Sequence, residues 1–242
     1  MLDLAVVIPV YNEEACIQHV LKTWLNTLSS LKIQYKIFIF NDGSQDQTLE
    51  VLNQFQNNHN IYITHQANRG HGPTILTGYH MVVDTALWVF QIDADNEIES
   101  DYFSTLWRNR NDYDALLGIR MRPHQKALRR LISACSRLAT YILFGSGIKD
   151  VNVPYRLMRS SILKDMLENI PSETFAPNVL ISGLISFNRL RIFQMPVVFE
   201  SRKTGRISLH RWKLWNAALR SFVEMLQFRL SYKKKRLLPQ TI

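Results

Sequence analysis

Apolar and polar residues alternate along the chain in two rhythms. Residues 4–10 form an unbroken apolar run rich in Val and Ile, the pattern of a strand buried on both faces. Ile17, Val20, Leu21, Trp24, Leu25, Leu28 and Leu31 then recur at threes and fours, which gathers them on one face of a helix. The alternation continues with strands at 35–40, 61–66, 85–92 and 114–120. Between them lie a helical stretch within 42–55, with Ser44 or Asp46 as its N-cap, a helix near 74–84 and another over 101–110. Beyond residue 120 the rhythm loosens. The pattern there predicts a basic helix over 126–144, a short helix over 160–168, a strand or hairpin within 188–202, and a long amphipathic helix over 210–230.

Strands separated by helices imply an α/β protein with a mostly parallel central sheet flanked by helices, joined by right-handed crossovers. No repeat or linker interrupts the 242 residues, so the pattern predicts one Rossmann-like domain. Ligands of such sheets gather beyond the carboxyl ends of the strands. Four polar segments fall there: Tyr11–Glu13, Asn41–Ser44, Asn68–Gly72 and Asp93–Glu97.

Charge divides the chain. Residues 1–118 carry 6 Lys or Arg against 14 Asp or Glu, and residues 119–242 carry 23 against 6. An acidic half suits a cation, and a basic half suits nucleic acid, phospholipid or a phosphorylated substrate. No nucleic-acid-binding motif is present, which disfavours the first of these. No apolar run reaches the ~18 residues of a membrane span. The N-terminus lacks the basic region and small-residue cleavage site of a signal peptide, so the expected location is cytoplasmic. Cys16 and Cys135, far apart in sequence, form no ligand or redox motif.

The chemistry concentrates after the fourth strand. Asp93, Asp95 and Glu97 stand at alternate positions, and an extended chain would turn all three to one face. Such carboxylates repel unless a hard cation, Mg²⁺ or Mn²⁺, accepts their oxygens. The bland alternative is that Asp95–Asn96–Glu97 cap the following helix. Asp42 and Gly43 make a sharp exit from the second strand, either as a plain turn or as a strand-end acid for a ribose or base. Tyr11 can stack on a base and Glu13 can bond it. Gly70 and Gly72 mark a turn that allows a close backbone approach, yet the segment lacks the G-K-[ST] of a P-loop.

The segments "VVIPVYNEE", "NDGSQDQT", "NRGHGPTILTGY" and "DADNEI", in this order, resemble the family 2 glycosyltransferases of the GT-A fold. The likeness is to the branch around dolichyl-phosphate mannosyltransferase and its bacterial polyprenyl-phosphate relatives. It continues through "LLGIR", "KDVNVPYRLMR" and "RIFQMPVVFESRKTGRIS". The resemblance implies inverting transfer from a nucleotide diphosphate sugar, with a divalent metal on the diphosphate. It implies that residues 1–122 form the nucleotide-sugar half and 123–242 the acceptor half. Pro9, Tyr11, Glu13, Asp42, Gly70, Gly72, Asp93, Ala94 and Asp95 would line the nucleotide-sugar pocket, and Asp93, Asp95 and Glu97 would hold the metal. Arg120 and Arg202 would contact phosphates. Three departures stand out: His71 and Pro73 in the third motif, an extra residue between Gly205 and Ser208, and Asn178 where many relatives carry an acid.

A hydroxyl acceptor requires a base, and a phosphate acceptor does not. No evident base pair is present, although Asp150 and Glu173 are candidates. With the basic second half, this favours a polyprenyl phosphate acceptor, the enzyme sitting peripherally at the membrane. Transfer to a saccharide hydroxyl and a catalytically silent nucleotide-sugar binder remain the alternatives. On the last helix Trp212, Trp215, Leu219, Phe222 and Leu226 form a stripe, followed by the basic run 233–236. Either the stripe packs on the sheet, or it docks on anionic lipid.

Overall fold

The computed structural model describes residues 1–121, 127–145, 147–199 and 211–232. Arg202, the 202–208 stretch and the basic run 233–236 lie outside them. Within helices, no side-chain burial is described for 127–130 and 211–214, Trp212 among them.

Seven strands form one sheet: β1 (Leu2–Val10), β2 (Tyr35–Asp42), β3 (Ile61–Gln66), β4 (Ala86–Gln91), β5 (Ala115–Met121), β6 (Arg156–Arg159) and β7 (Ile192–Val198). Their spatial order is β3-β2-β1-β4-β6-β5-β7. The segment read as a strand or hairpin is the single strand β7, parallel to β5. β6 is antiparallel to both its neighbours, β4 and β5. It alone runs against the rest, so the residues that precede it reach the rim where the other strands end. This reversal brings Asp150 to the end of β5, where Arg120 lies.

The helices are α1 (Ile17–Ser30), α2 (Thr48–Asn53), α3 (His71–Val82), α4 (Phe103–Asn109), α5 (Ala127–Phe144), α6 (Ser160–Leu167), α7 (Pro177–Phe187) and α8 (Arg211–Ser231). Leu4–Ile8 on β1, Ile37–Phe40 on β2 and Val89–Phe90 on β4 are almost all fully buried, as unbroken apolar runs require. The face of α1 built from Ile17, Val20, Leu21, Trp24 and Leu28 covers the sheet. Trp24 packs there on Phe90 and Phe103, with ring centroids 5.3 and 5.7 Å apart. The second helical stretch is shorter than its pattern suggested. Neither Ser44 nor Asp46 is its N-cap residue; that position is Gln47.

Candidate active site

The first two rim segments brace each other through reciprocal hydrogen bonds. The Asn12 amide donates to Ser44 Oγ at 3.0 Å, and the Gln45 amide donates back to Asn12 Oδ1 at 2.8 Å. The Glu13 amide donates to Thr48 Oγ1, and the Gln47 amide to Glu14 Oε2, both at 2.8 Å. Asn12 holds a positive φ of 54°, a conformation that Asn tolerates better than most residues. Tyr11 projects from this braced turn with its ring exposed. Pro9 is buried in β1, paired in register with Phe40.

Asp42 is almost wholly buried and organises the third segment. Its Oδ1 accepts from Gln66 Nε2 at 2.8 Å and from the Arg69 amide at 2.9 Å, and its Oδ2 accepts from the Gly70 amide at 2.9 Å. A carboxylate that accepts backbone N–H groups in this way fixes a loop rigidly. Gly70 adopts φ 94° and ψ 160°, a region that is essentially closed to side chains. The close backbone approach expected at Gly72 is real, but its partner is the protein. A Cβ there would lie 2.3 Å from the carbonyl oxygens of Thr174 and Phe175. The third helix begins at His71 rather than near residue 74. Pro73 lies in its first turn, where a missing N–H does no harm.

The fourth segment departs from the extended geometry read in the sequence. β4 ends at Gln91, and the chain turns at Ala94–Asp95. Asp95 Oδ1 accepts the Glu97 amide at 3.2 Å, and Asn96 has φ 55°. Among the described residues, no three His, Cys, Asp or Glu side chains converge closely enough to enclose a metal ion. The expected trio of Asp93, Asp95 and Glu97 is therefore not gathered into one cage, because period-two alternation ends with the strand. Ala94, between the first two, is buried. The donor set that remains is two carboxylates one residue apart. It fits a hard divalent cation that takes one or two protein oxygens and completes its shell with substrate phosphates. His71 Nε2 lies 3.6 Å from Asp93 Oδ1 and links the third and fourth segments.

Arg120 and Asp150 form a two-point fork, Nε to Oδ2 at 2.7 Å and Nη2 to Oδ1 at 2.8 Å. The Arg120 amide donates to the same carboxylate at 3.3 Å, and Nη2 also reaches the Asn152 carbonyl at 3.0 Å. Burial opposes the Arg120 charge. The bonds to Asp150 and the fields of Asp93 and Glu97 outweigh it, so the guanidinium is held above its ordinary pKa. Beneath this pair lies Arg156, fully buried and bonded to the carbonyls of Val153 at 2.9 Å, Asn178 at 3.2 Å and Val151 at 3.4 Å. Burial lowers its pKa. Three carbonyls hold its guanidinium, and through them it shapes the 150–153 segment that carries Asp150.

A cleft of about 1510 Å³ opens between this rim and the helices α5, α7 and α8. Gly70, His71, Arg120 and Asp150 line one end, and Leu131, Ile132, Trp215 and Leu219 line the walls toward α5 and α8. Arg69 and Glu173 form an ion pair at its edge. Glu224 of α8 accepts the Phe175 amide at 3.0 Å and the Ala176 amide at 3.4 Å, just ahead of α7.

A parallel sheet with polar loops crowded on one rim is shared by several nucleotide-binding enzymes, and the sequence decides among them. Residues 5–167 match the family model "Glycosyl transferase family 2". The chain belongs to this glycosyltransferase family. The enzyme is 29% identical over 229 residues to an uncharacterized glycosyltransferase of Synechocystis sp., covering 90% of this chain and 68% of that protein. It is 28% identical over 217 residues to an undecaprenyl-phosphate 4-deoxy-4-formamido-L-arabinose transferase of Edwardsiella ictaluri, covering 88% of this chain and 65% of the relative. The glycosyltransferase thus spans about two thirds of these relatives' lengths. Its fold matches glucosyl-3-phosphoglycerate synthase from Mycobacterium tuberculosis in complex with Mn²⁺, UDP and glucosyl-3-phosphoglycerate. That match has a TM-score of 0.68 at 15% identity and covers 96% of this chain and 81% of the other. Staphylococcus aureus TarS in complex with UDP matches at 0.58 with 17% identity, over 97% and 67% of the two chains. The fold of the glycosyltransferase is GT-A.

In this glycosyltransferase Asp42 meets Gly70, His71 meets Asp93 and Arg120 meets Asp150, while Tyr11 and Asp95 stand on the turns after β1 and β4. Arg156 and Glu224 escaped the sequence reading. Arg156 has one available signal, an arginine inside the apolar run "VPYRLM". Glu224 has another, as the single acid on a basic helix.

Proposed function

We propose that this glycosyltransferase moves a sugar, with inversion, from a nucleoside diphosphate sugar to a lipid phosphate of the polyprenyl type. One observation carries this reading: both carboxylates that the sequence offers as general bases are held by arginines, Asp150 by Arg120 and Glu173 by Arg69. A hydroxyl acceptor must lose a proton as it attacks, and a carboxylate forked by a guanidinium is poorly placed to take it. A phosphate monoester arrives as an anion, and a guanidinium fork matches its oxygens well. The relatives named as undecaprenyl-phosphate transferases support the same acceptor class.

On the donor side, Tyr11 offers its exposed ring to a base, and the loop fixed by Asp42 borders the nucleotide. Pro9, Glu13 and Ala94 support this pocket from the strand ends. Asp93 and Asp95 would hold Mg²⁺ or Mn²⁺, which when bound neutralises charge on the departing diphosphate. Glu97 adds its field on Arg120. An acceptor phosphate oxygen attacks the anomeric carbon from the face opposite the diphosphate. The new C–O bond forms as the old one breaks, configuration inverts, and no proton moves. Arg120, whose Nε–Nη2 edge is held by Asp150, steadies the acceptor phosphate by its charge, with Arg202 as a second cation for it.

The test replaces each candidate base while an undecaprenyl phosphate acceptor is supplied. Asp150→Asn is expected to lower kcat/KM about tenfold, mainly through a raised KM for acceptor, because it loosens Arg120 while the reaction needs no base. Glu173→Gln is expected to change turnover less than about threefold. Loss of a full general-base contribution, ~10²–10⁴-fold, with donor binding intact in either variant would move the reading to a hydroxyl acceptor.

A further inference from the structure

Helix α8 has two apolar faces. Met225 and Phe228 are buried beside α5, where Thr140 Oγ1 lies 3.4 Å from Met225 Sδ and the rings of Phe144 and Phe228 lie 6.3 Å apart. The stripe at Trp215, Leu219, Phe222 and Leu226 is exposed, and the first three of these line the cleft. The single acid of the helix, Glu224, turns to the segment just ahead of α7. It accepts the Phe175 amide with both oxygens at 3.0 Å and the Ala176 amide with Oε2 at 3.4 Å. Ala176 is the N-cap residue of α7 and has no side-chain oxygen for that task, so a carboxylate from another helix meets the positive helix end. Arg220, one turn earlier, stands 3.8 Å from Glu224 and 4.7 Å over the Phe175 ring.

The same two peptide units meet the donor side with their other edge. The Thr174 carbonyl shares a peptide plane with the Phe175 amide, and the Phe175 carbonyl shares one with the Ala176 amide. Both carbonyl oxygens crowd Gly72, where a Cβ would lie 2.3 Å from either. A trans peptide is planar and sets its oxygen and its hydrogen on opposite edges. Two rigid plates therefore span from Glu224 on α8 to the first turn of α3, and contacts this close pass a displacement on. Gly72 stands two residues after Gly70, whose amide is held by Asp42 together with that of Arg69. A second tie between the turn and this segment, the Arg69–Glu173 pair, lies at the exposed edge of the cleft and contributes little.

We propose that Glu224 is a positioning residue for the donor: from α8 it seats the 174–176 backbone against Gly72 and so sets the Gly70–Gly72 turn that borders the nucleotide. A helix on the acceptor wall of the cleft thereby fixes the shape of the donor pocket. This role rests on the nucleotide-sugar donor proposed above.

The experiment compares the full unaltered chain with Glu224→Ala, Glu224→Gln and Arg229→Met. Two readouts are taken: hydrogen exchange of residues 66–74 by mass spectrometry, and calorimetric titration with UDP, GDP, dTDP and CMP, each with Mn²⁺. Arg229→Met is the control, because it frees α8 from the Leu143 carbonyl, 2.8 Å from Arg229 Nε, and leaves the 174–176 contact alone. Glu224→Ala is expected to speed exchange in 66–74 by about threefold or more. It should also weaken the best-bound nucleotide by about three- to tenfold, since the turn must then be ordered on binding. Glu224→Gln keeps the shape and one accepting oxygen, so its values should fall between; it carries the comparison if the alanine variant loses its far-ultraviolet circular dichroism. Arg229→Met should lower the melting point and leave both readouts as they are in the unaltered chain. Unchanged exchange or unchanged affinity in the Glu224 variants, or equal changes in Arg229→Met, would overturn the role. Faster exchange on Glu224 replacement in a chain that binds none of the nucleotides even unaltered would leave the brace standing and count against the donor reading alone.

Discussion

Asp42 shows how one side chain can serve fold and site together. Its two oxygens collect one side-chain amide and two backbone amides, and these fix Arg69 and Gly70 beside the cleft. Asp42→Asn keeps the shape but turns an NH₂ toward one donor, leaving a buried group unmatched at a cost of about 1–3 kcal/mol. The variant is expected to fold, to melt a few degrees lower, and to bind its nucleotide diphosphate at least tenfold more weakly by calorimetric titration. Unchanged affinity would show that the loop does not shape the donor pocket. Asp42 and Gly70 were legible in the sequence because a strand-end Asp-Gly and a Gly pair carry strong local signals. Arg156 was missed, since its one signal, an arginine inside an apolar run, does not say that the carbonyls of Val151, Val153 and Asn178 will hold it. The spacing of Asp93, Asp95 and Glu97 was legible too, but it suggested an extended face where the backbone turns.

At the scale of elements, the first five strands and α1 declared themselves through periodicity. α7 did not, because "PNVLISGLISF" is buried all round, Ser182 and Asn178 included, so no polar face marks it as a helix. β6 has only four residues and lies between two other strands, too short for a pattern. Yet these two missed elements shape the rim. β6 reverses direction and delivers Asp150, and the segment before α7 meets α3 at Gly72. Gly72→Ala tests that contact. Its methyl would strike two backbone carbonyls rather than a flexible side chain, so the strain should reach about 1–3 kcal/mol. The expected result is a melting point lower by about 3–10 °C, with weaker donor binding because the Gly70 turn is displaced. Full stability would mean that the 174–175 backbone gives way easily.

For the whole molecule, the division of charge read from the sequence has a structural counterpart. The acidic half supplies the ends of β1 to β4 on the rim, and the basic half supplies Arg120, α5 and α8. The sequence left the last helix undecided because its apolar residues occupy two faces, and composition alone does not say which face the sheet takes. The central claim is that the arginine-lined rim receives a lipid phosphate as the attacking group. The most direct measurement supplies a panel of nucleotide sugars with Mn²⁺ and compares transfer to undecaprenyl phosphate with transfer to undecaprenol in the same detergent. The account expects a glycosyl-phosphate product from one nucleotide class and at least 10³-fold less product from the alcohol, of the order of a missing base. Comparable transfer to the alcohol, or transfer only to a saccharide hydroxyl, would contradict it.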